Sequence, residues 1–446
     1  MSLGHGVTAI PGSAGALAGI TRRLPAGAPA LPGSVIPLAA AGLVLLAAIA
    51  LVPVHGGWWR DAPAWFAGCG LVAGAAYLAA AAWAWRRPLP ARAWGLVAVV
   101  AVAAHGRGRR LTPSDDLNRY AVEGQQLAIS ENPYAVPPLA SAAPVAATVA
   151  AQVNHPQMTA IYPPGMLAWH GTAGVVTADP RGYAALHALA SLVLIAVVGF
   201  ALHRRGAGPG RWLLVAWHPL LPLMAGGEGH HDAVAGLTAV AAVLLIASTG
   251  GGFRAALVAS LACLLKPFAL PVLVTVLHAG RWRWWWLPPV VAVLAYLPFL
   301  DAGTGVLRSL GTFAGSWQHH GVLEPWLRWL PESVNRLVLL AVLLGGGWWV
   351  WRRSPDPFLR AGRLVAVLML VLPTLHAWYL IALVPWLAWL RSPALTAWTG
   401  LWAVYWLHGH WFPPGGWEEQ AWISAMHLPF ALWFVVETAR HPEPAP

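Results

Sequence analysis

The chain is 446 residues long, 58% hydrophobic and only 10% charged, whereas a soluble domain carries about 25% charged residues. That composition excludes a soluble globular protein and points to a polytopic membrane protein. The formal charge of +11 does not imply nucleic acid as a partner, because the basic residues stand singly or in pairs between apolar runs and form no basic face. They read instead as topology determinants whose partners are membrane lipids.

Residues 1–34 are rich in Gly, Ala and Pro and carry Arg22-Arg23 ahead of the first apolar run. The pattern can mimic a secretory or twin-arginine signal, but the many spans that follow favour an uncleaved cytoplasmic tail. Apolar runs then recur near 35–54, 63–85, 93–105, 183–202, 212–226, 232–248, 255–278, 284–300, 334–351, 362–375, 378–390, 394–408 and 421–437. The expected fold is therefore all-α, a single transmembrane bundle over 35–437 with about 11 to 13 spans, followed by a cytoplasmic tail at 438–446. Several runs fall short of the ~20 residues of a straight span, so short or broken helices are expected. Cys69 and Cys263 lie far apart inside apolar runs and read as small core residues.

With the amino terminus inside, Arg86, Arg87 and Arg92, Arg204, Arg205 and Arg211, Arg254, Arg281 and Arg283, Arg352, Arg353, Arg360 and Arg363, and Arg391 can all face the cytoplasm, as the positive-inside rule requires. Arg107, Arg109 and Arg110 are the exception. This arrangement makes 162–177 an interfacial or re-entrant piece and breaks 255–278 near Lys266-Pro267, where proline removes a backbone donor. The outer face then collects 106–182, Glu228 to Asp232, 301–333 and 409–420, and with them every acidic residue except Asp61, Asp356, Glu437 and Glu443.

The outer segment 106–182 is the polar exception in the chain. It contains Ser114-Asp115-Asp116-Leu117-Asn118-Arg119-Tyr120, Glu131-Asn132-Pro133-Tyr134, Asn154-His155-Pro156 and Ile161-Tyr162-Pro163-Pro164. Two adjacent carboxylates at the mouth of an apolar bundle are costly unless paired or used, so chemistry is expected here. The alternative is an N-cap at Ser114 or Asp115 opening a short helix, which is compatible with a catalytic neighbour.

Ser114-Asp115-Asp116 with Arg119-Tyr120, Glu123-Gly124, Asn132-Pro133-Tyr134 and Ile161-Tyr162-Pro163-Pro164 resemble, in order, the first outer loop of GT-C glycosyltransferases. The branch they resemble most is that of bacterial polyprenol-phosphate-mannose-dependent mannosyltransferases. His218-Pro219, Gly229-His230-His231-Asp232, Lys266-Pro267, Trp317 to Gly321 and His376-Ala377-Trp378-Tyr379 also fall in family order. The chain departs from the family pattern at Asn118, Glu123, His231, His320 and Ala377. In the related lipid A aminoarabinose transferases the catalytic Asp precedes Arg by three and Tyr by four residues, a register that selects Asp116. The resemblance implies an inverting hexosyltransferase in a bacterial plasma membrane. Its donor would be a polyprenyl-phosphate sugar, mannose by family, and its acceptor a hydroxyl of a lipid or glycan on the outer side.

Such a reaction needs a base for the incoming hydroxyl and cations or donors for the departing phosphate. Asp116 is the expected base, with Asp115 tuning or orienting it. Lys266, the single lysine among 27 basic residues, is expected at the donor phosphate, or else in a structural ion pair. Arg119 either clamps phosphate or pairs with Asp115 or Glu123. His230, His231 and His376 are further phosphate donors, against a structural role for each. Glu123, Asn132, Tyr134, Tyr162, Asp232, Trp317, His320, Trp378 and Tyr379 are expected to bind sugar or acceptor. Among 29 tryptophans the interfacial belt is the default reading, so only those within motifs are singled out. Metal ligation by Glu228, His230, His231 and Asp232 is conceivable, since His and Asp are suitable ligands, but their spacing matches no standard zinc motif, so a divalent metal is not favoured and no other cofactor is expected. The rival reading is a transporter or flippase of lipid-linked sugar, in which broken helices and buried charges form a midplane pathway.

Overall fold

A computed structural model describes residues 34–56, 61–112, 114–249, 252–316, 320–407 and 417–440. The tail readings at 1–33 and 441–446, and the candidate Trp317, lie outside the described residues. Among the described residues the chain is helical without β-strands; only an isolated bridge joins His320 to Thr374. The helices are α1 Ile36–Leu51, α2 Pro63–Arg86, α3 Ala93–Gly108, α4 Asp116–Ala128, α5 Ala147–Ala151, α6 Pro164–Val176, α7 Pro180–Arg204 and α8 Pro209–Ala216. A π-helical turn, Leu221–Glu228, leads to α9 Asp232–Thr249, α10 Gly252–Leu265, α11 Leu270–Ala279, α12 Leu287–Tyr296 and α13 Gly305–Ser316. The remainder is α14 Glu324–Leu327, α15 Glu332–Arg353, α16 Pro357–Val371, α17 Leu387–Leu390, α18 Pro393–Gly400 and α19 Trp417–Arg440.

Proline sets many of these starts. It occupies the first helical position of α2, α6, α7, α8, α16 and α18, where its missing N–H would have no intrahelical partner anyway and its fixed φ suits the helix. In three of them the preceding side chain caps the end. Asp179 accepts the Arg181 N–H at 2.9 Å, Asp356 accepts those of Phe358 and Leu359 at 2.8 and 3.0 Å, and Ser392 accepts that of Leu395 at 3.1 Å. Each such cap is worth about 1 kcal/mol.

Five helices are long and apolar enough to cross a membrane: 36–55, 63–86, 180–204, 332–353 and 420–440. They become six if the segments 287–302 and 305–312, bent by 99°, form one span. Apolar runs at 93–108, 232–248, 252–265, 267–279 and 377–390 form shorter helices, below the length of a straight span. The break expected in 255–278 falls at Lys266, whose backbone is extended (φ −154°, ψ 129°) before a 3₁₀ turn at Pro267–Ala269. The run at 162–177 is α6, 13 residues long and packed on α4. Cys69 is buried, Cys263 is half-buried, and both are free thiols.

One apolar core runs through α1, α2, α3, α7, the π-turn, α9 to α11, α16 and the segment 375–406. A smaller cluster of Leu117, Tyr120, Ala121, Ala173, Tyr183 and Ala184 lies beneath α4, so the polar segment has its own apolar footing. The closest approach there is at Gly124: a Cβ would stand 2.0 Å from Tyr183 Oη and 2.4 Å from the His170 carbonyl oxygen. Gly124→Ala is therefore expected to lower stability by about 1–3 kcal/mol through overpacking, read as a fall in the thermal midpoint of the detergent-solubilised protein. An unchanged midpoint would mean that α4 and α6 do not pack this closely.

Candidate active site

Asp115 and Asp116 stand where α4 begins. Ser114 anchors this point, because its N–H donates to the Glu228 carbonyl at 3.0 Å and its Oγ accepts the Asp116 N–H at 3.3 Å. Asp116 is thus in the first turn of the helix, where the positive end of the dipole favours a carboxylate. Its Oδ1 accepts from Asn154 Nδ2 at 2.6 Å, and its Oδ2 lies 3.7 Å from His230 Nδ1 with 22% of the side chain exposed. Burial first, and the neighbouring Asp115 charge second, push its carboxyl up to about 6 against the opposing Asn154 bond. That is the range in which a carboxylate serves as a base near neutral pH.

The Gly229-His230-His231-Asp232 stretch reaches Asp116 because the π-turn ends in a reversal. Gly229 has φ +80°, and a Cβ on it would meet Leu117 Cδ1 at 2.5 Å, so both conformation and contact with α4 call for glycine. The two histidines then diverge. His230 lies 3.3 Å from Glu228 Oε2 through Nε2, and its ring stacks on Trp378 at 3.9 Å and 7°. His231 turns toward Tyr120 at 4.7 Å, the edge of Tyr162 at 4.8 Å and His170 Nε2 at 3.4 Å.

His376 also stacks on Trp378, at 4.4 Å and 8°, and lies 3.5 Å from the Tyr405 hydroxyl. That hydroxyl is 2.7 Å from Nδ1 of His320, whose backbone N–H donates to Gln420 Oε1 at 2.6 Å. Lys266 donates to Asp232 Oδ1, and its ammonium sits over the rings of Tyr379 at 4.6 Å and Phe268 at 5.3 Å. The structural ion pair is therefore present, and Lys266 still has donors beyond the one given to Asp232. It is close enough to Asp116 to oppose the rise in that carboxyl's pKa. His376, Trp378 and Tyr379 are half-buried, so the polar group is reached past their exposed edges, the faces of the Trp378 indole being covered by His230 and His376.

Arg119 does not face this opening. All five of its N–H donors are committed: Nε to Asn154 Oδ1 at 3.3 Å, Nη1 to Glu123 Oε1 and the Met158 carbonyl at 3.1 Å each, and Nη2 to the carbonyls of Asn154 and His155 at 3.0 and 2.6 Å. A guanidinium has no sixth donor for phosphate, so of the two roles expected for Arg119 the geometry favours pairing with Glu123. Glu123 is buried between Arg119 and His170, whose Nδ1 is 3.5 Å from Oε2.

Asn132 and Tyr134 likewise build the segment and do not approach Asp116. The Asn132 amide donates to Asp301 Oδ1 at 2.6 Å, and the buried Tyr134 phenol donates to the Tyr162 carbonyl at 2.6 Å, within a separate cluster containing Phe299. Asn154, His170, Tyr405 and Gln420 are the partners that sequence reasoning missed. Asn154 stands in the quoted Asn154-His155-Pro156 stretch, but nothing in a separation of 38 residues ties it to Asp116. Among the described residues no group of three or more His, Cys, Asp or Glu side chains could hold a metal ion.

No known family model, curated protein or solved structure matches the chain.

Because the Asp116 carboxyl is raised from the ordinary 3.8 to about 6, the folded chain holds this proton more tightly than the unfolded one. The associated stability is full below about pH 4 and is lost as pH rises through about 6. Asp116→Asn removes the charge, so it is expected to raise thermal stability at pH 8 by up to about 3 kcal/mol and to change it little at pH 4. Equal shifts at both pH values in thermal melts of purified protein would contradict the raised pKa.

Proposed function

We propose that the protein is a membrane glycosyltransferase that moves a sugar, mannose by family resemblance, from a polyprenyl phosphate to a hydroxyl of a lipid or glycan. The observation that carries this reading is Asp116: a carboxylate oriented by Asn154, its pKa raised toward neutrality, and set beside His230 and the Lys266–Asp232 pair. A helical bundle supplying one tuned carboxylate beside cations and flat aromatic faces has what a lipid-phosphate sugar donor requires.

In this reading the acceptor oxygen attacks the anomeric carbon opposite the phosphate, and Asp116 Oδ2 takes the hydroxyl proton. The bond from the anomeric carbon to the phosphate oxygen breaks with its electron pair on phosphate, and the configuration inverts. Lys266 supplies positive charge, and His376 a hydrogen bond, to the departing phosphate, while the half-buried Trp378 and Tyr379 border the sugar. Arg119 and Glu123 hold the segment that carries Asn154. The bundle would lie in a bacterial plasma membrane, short and broken helices completing about 11 to 13 spans. Residues 106–182 would form the outer catalytic segment of the GT-C type, and the tails would be cytoplasmic.

The buried Lys266–Asp232 pair at a helix break is also an arrangement that a transporter uses, and the same experiment separates the two readings. Purified wild type and Asp116→Asn in proteoliposomes would be given labelled polyprenyl-phosphate-mannose together with membrane glycolipid or glycan acceptors. Transfer is expected in the wild type, with kcat/KM rising as pH passes through about 6, and is expected to fall 10²- to 10⁴-fold in the variant. Undiminished transfer in Asp116→Asn would remove this base from the mechanism. Movement of the donor across the bilayer without transfer would replace the enzyme with a flippase.

A further inference from the structure

A charged feature away from Asp116 lies at the far end of α19. Gln420, near the start of α19, holds the backbone of His320, whereas Arg440 ends the same helix 20 residues, or about 30 Å, further along at 1.5 Å per residue. At that end a cavity of about 570 Å³ is lined by Arg211, Arg363, Arg391 and Arg440 against a single carboxylate, Glu437. Glu437 Oε2 accepts the Ala394 N–H at 3.2 Å, so this carboxylate is engaged at the start of α18.

Cations brought together and partly out of water repel one another and cost free energy unless an anion joins them. Burial, and then the nearby Arg391, lower the Arg211 guanidinium below its ordinary value, as expected of crowded like charges. Arg363 is anchored by the Ser354 hydroxyl at 2.9 Å, whereas Arg391 and Arg440 are exposed. The volume suits a phosphate-bearing headgroup, and guanidinium groups match phosphate oxygens in geometry.

The wall of the cavity indicates where such a phosphate would come from. Trp433 and Val436 line it and are 45% and 43% exposed, in a stripe continued by Leu432 at 65%. On a helix apolar enough to cross a membrane this stripe faces acyl chains, so the cationic cavity opens directly onto lipid. By the positive-inside rule Arg211, Arg363 and Arg391 lie at the cytoplasmic face.

We propose that this cavity binds the phosphate headgroup of an anionic lipid of the cytoplasmic leaflet, with its acyl chains along Trp433 and Val436. The site is separate from Asp116 and does not depend on the reaction assigned there.

The test is native mass spectrometry of the full-length protein in detergent, titrated with phosphatidylglycerol, phosphatidylethanolamine or inorganic phosphate. Wild type would be compared with the combined variant Arg211→Gln, Arg391→Gln and Arg440→Gln, and with Arg391→Gln alone as a surface change that spares folding. The wild type is expected to bind phosphatidylglycerol about tenfold or more tightly than phosphatidylethanolamine, a preference reduced in the single variant and abolished in the combined one. A preference unchanged in Arg391→Gln and in the combined variant would overturn the proposal. Inorganic phosphate displacing the lipid at equal concentration would also overturn it, assigning the cavity to a soluble anion.

Discussion

The guanidinium of Arg119 is the constraint on which the candidate site depends. Its five bonds gather Glu123 from its own helix and the carbonyls of Asn154, His155 and Met158. Buried backbone carbonyls in an irregular segment need donors, and one planar side chain supplies four of the bonds to 154–158. The bond from Nε fixes the Asn154 amide by its oxygen, so its NH₂ points at Asp116. Orientation of the carboxylate is thereby set by a residue whose own donors are all committed to protein atoms. The chemistry proposed for Asp116 needs this rigidity, because a base displaced by an ångström loses most of its effect.

A second constraint is charge in a poor solvent. Asp116, Glu123, Glu228, Asp232, His230, His231 and Lys266 lie close together on the apolar bundle, and most are buried. Such a group is tolerated only through mutual pairing. Lys266 meets Asp232 and Arg119 meets Glu123, while the extended backbone at Lys266 and the reversal at Gly229 deliver these residues from α9, α10 and the π-turn to one place. Helix breaks are thus what bring charge to the site. An α9 or α10 continuing straight would carry the same side chains elsewhere.

Much of this was legible in the sequence where a single residue type has one physical use. Lys266-Pro267 marks a break, whereas the helix starts capped by Asp179, Asp356 and Ser392 and the reversal at Gly229 came only from the structure. Asp115-Asp116 before Arg119-Tyr120 marks the head of α4. The roles of Arg119, Asn132 and Tyr134 were not legible, since a polar residue within a motif can bind a ligand or tie backbone, and only the partner atoms decide. Asn154 and Tyr405 were missed because contacts across 38 and 29 residues leave no local pattern. The number of spans is equally hidden, because apolar helices of 10–17 residues have the composition of a span and not its length.

The central claim is that a lipid phosphate lies between Lys266 and the Trp378–His376 stack with its sugar facing Asp116. The most direct measurement is a cryo-electron microscopy structure of the Asp116→Asn protein in nanodiscs with a polyprenyl-phosphate sugar bound. The account predicts phosphate density within hydrogen-bond reach of Lys266 or His376, with the sugar beside residue 116. Density for the lipid phosphate elsewhere, with the sugar away from residue 116, would contradict it.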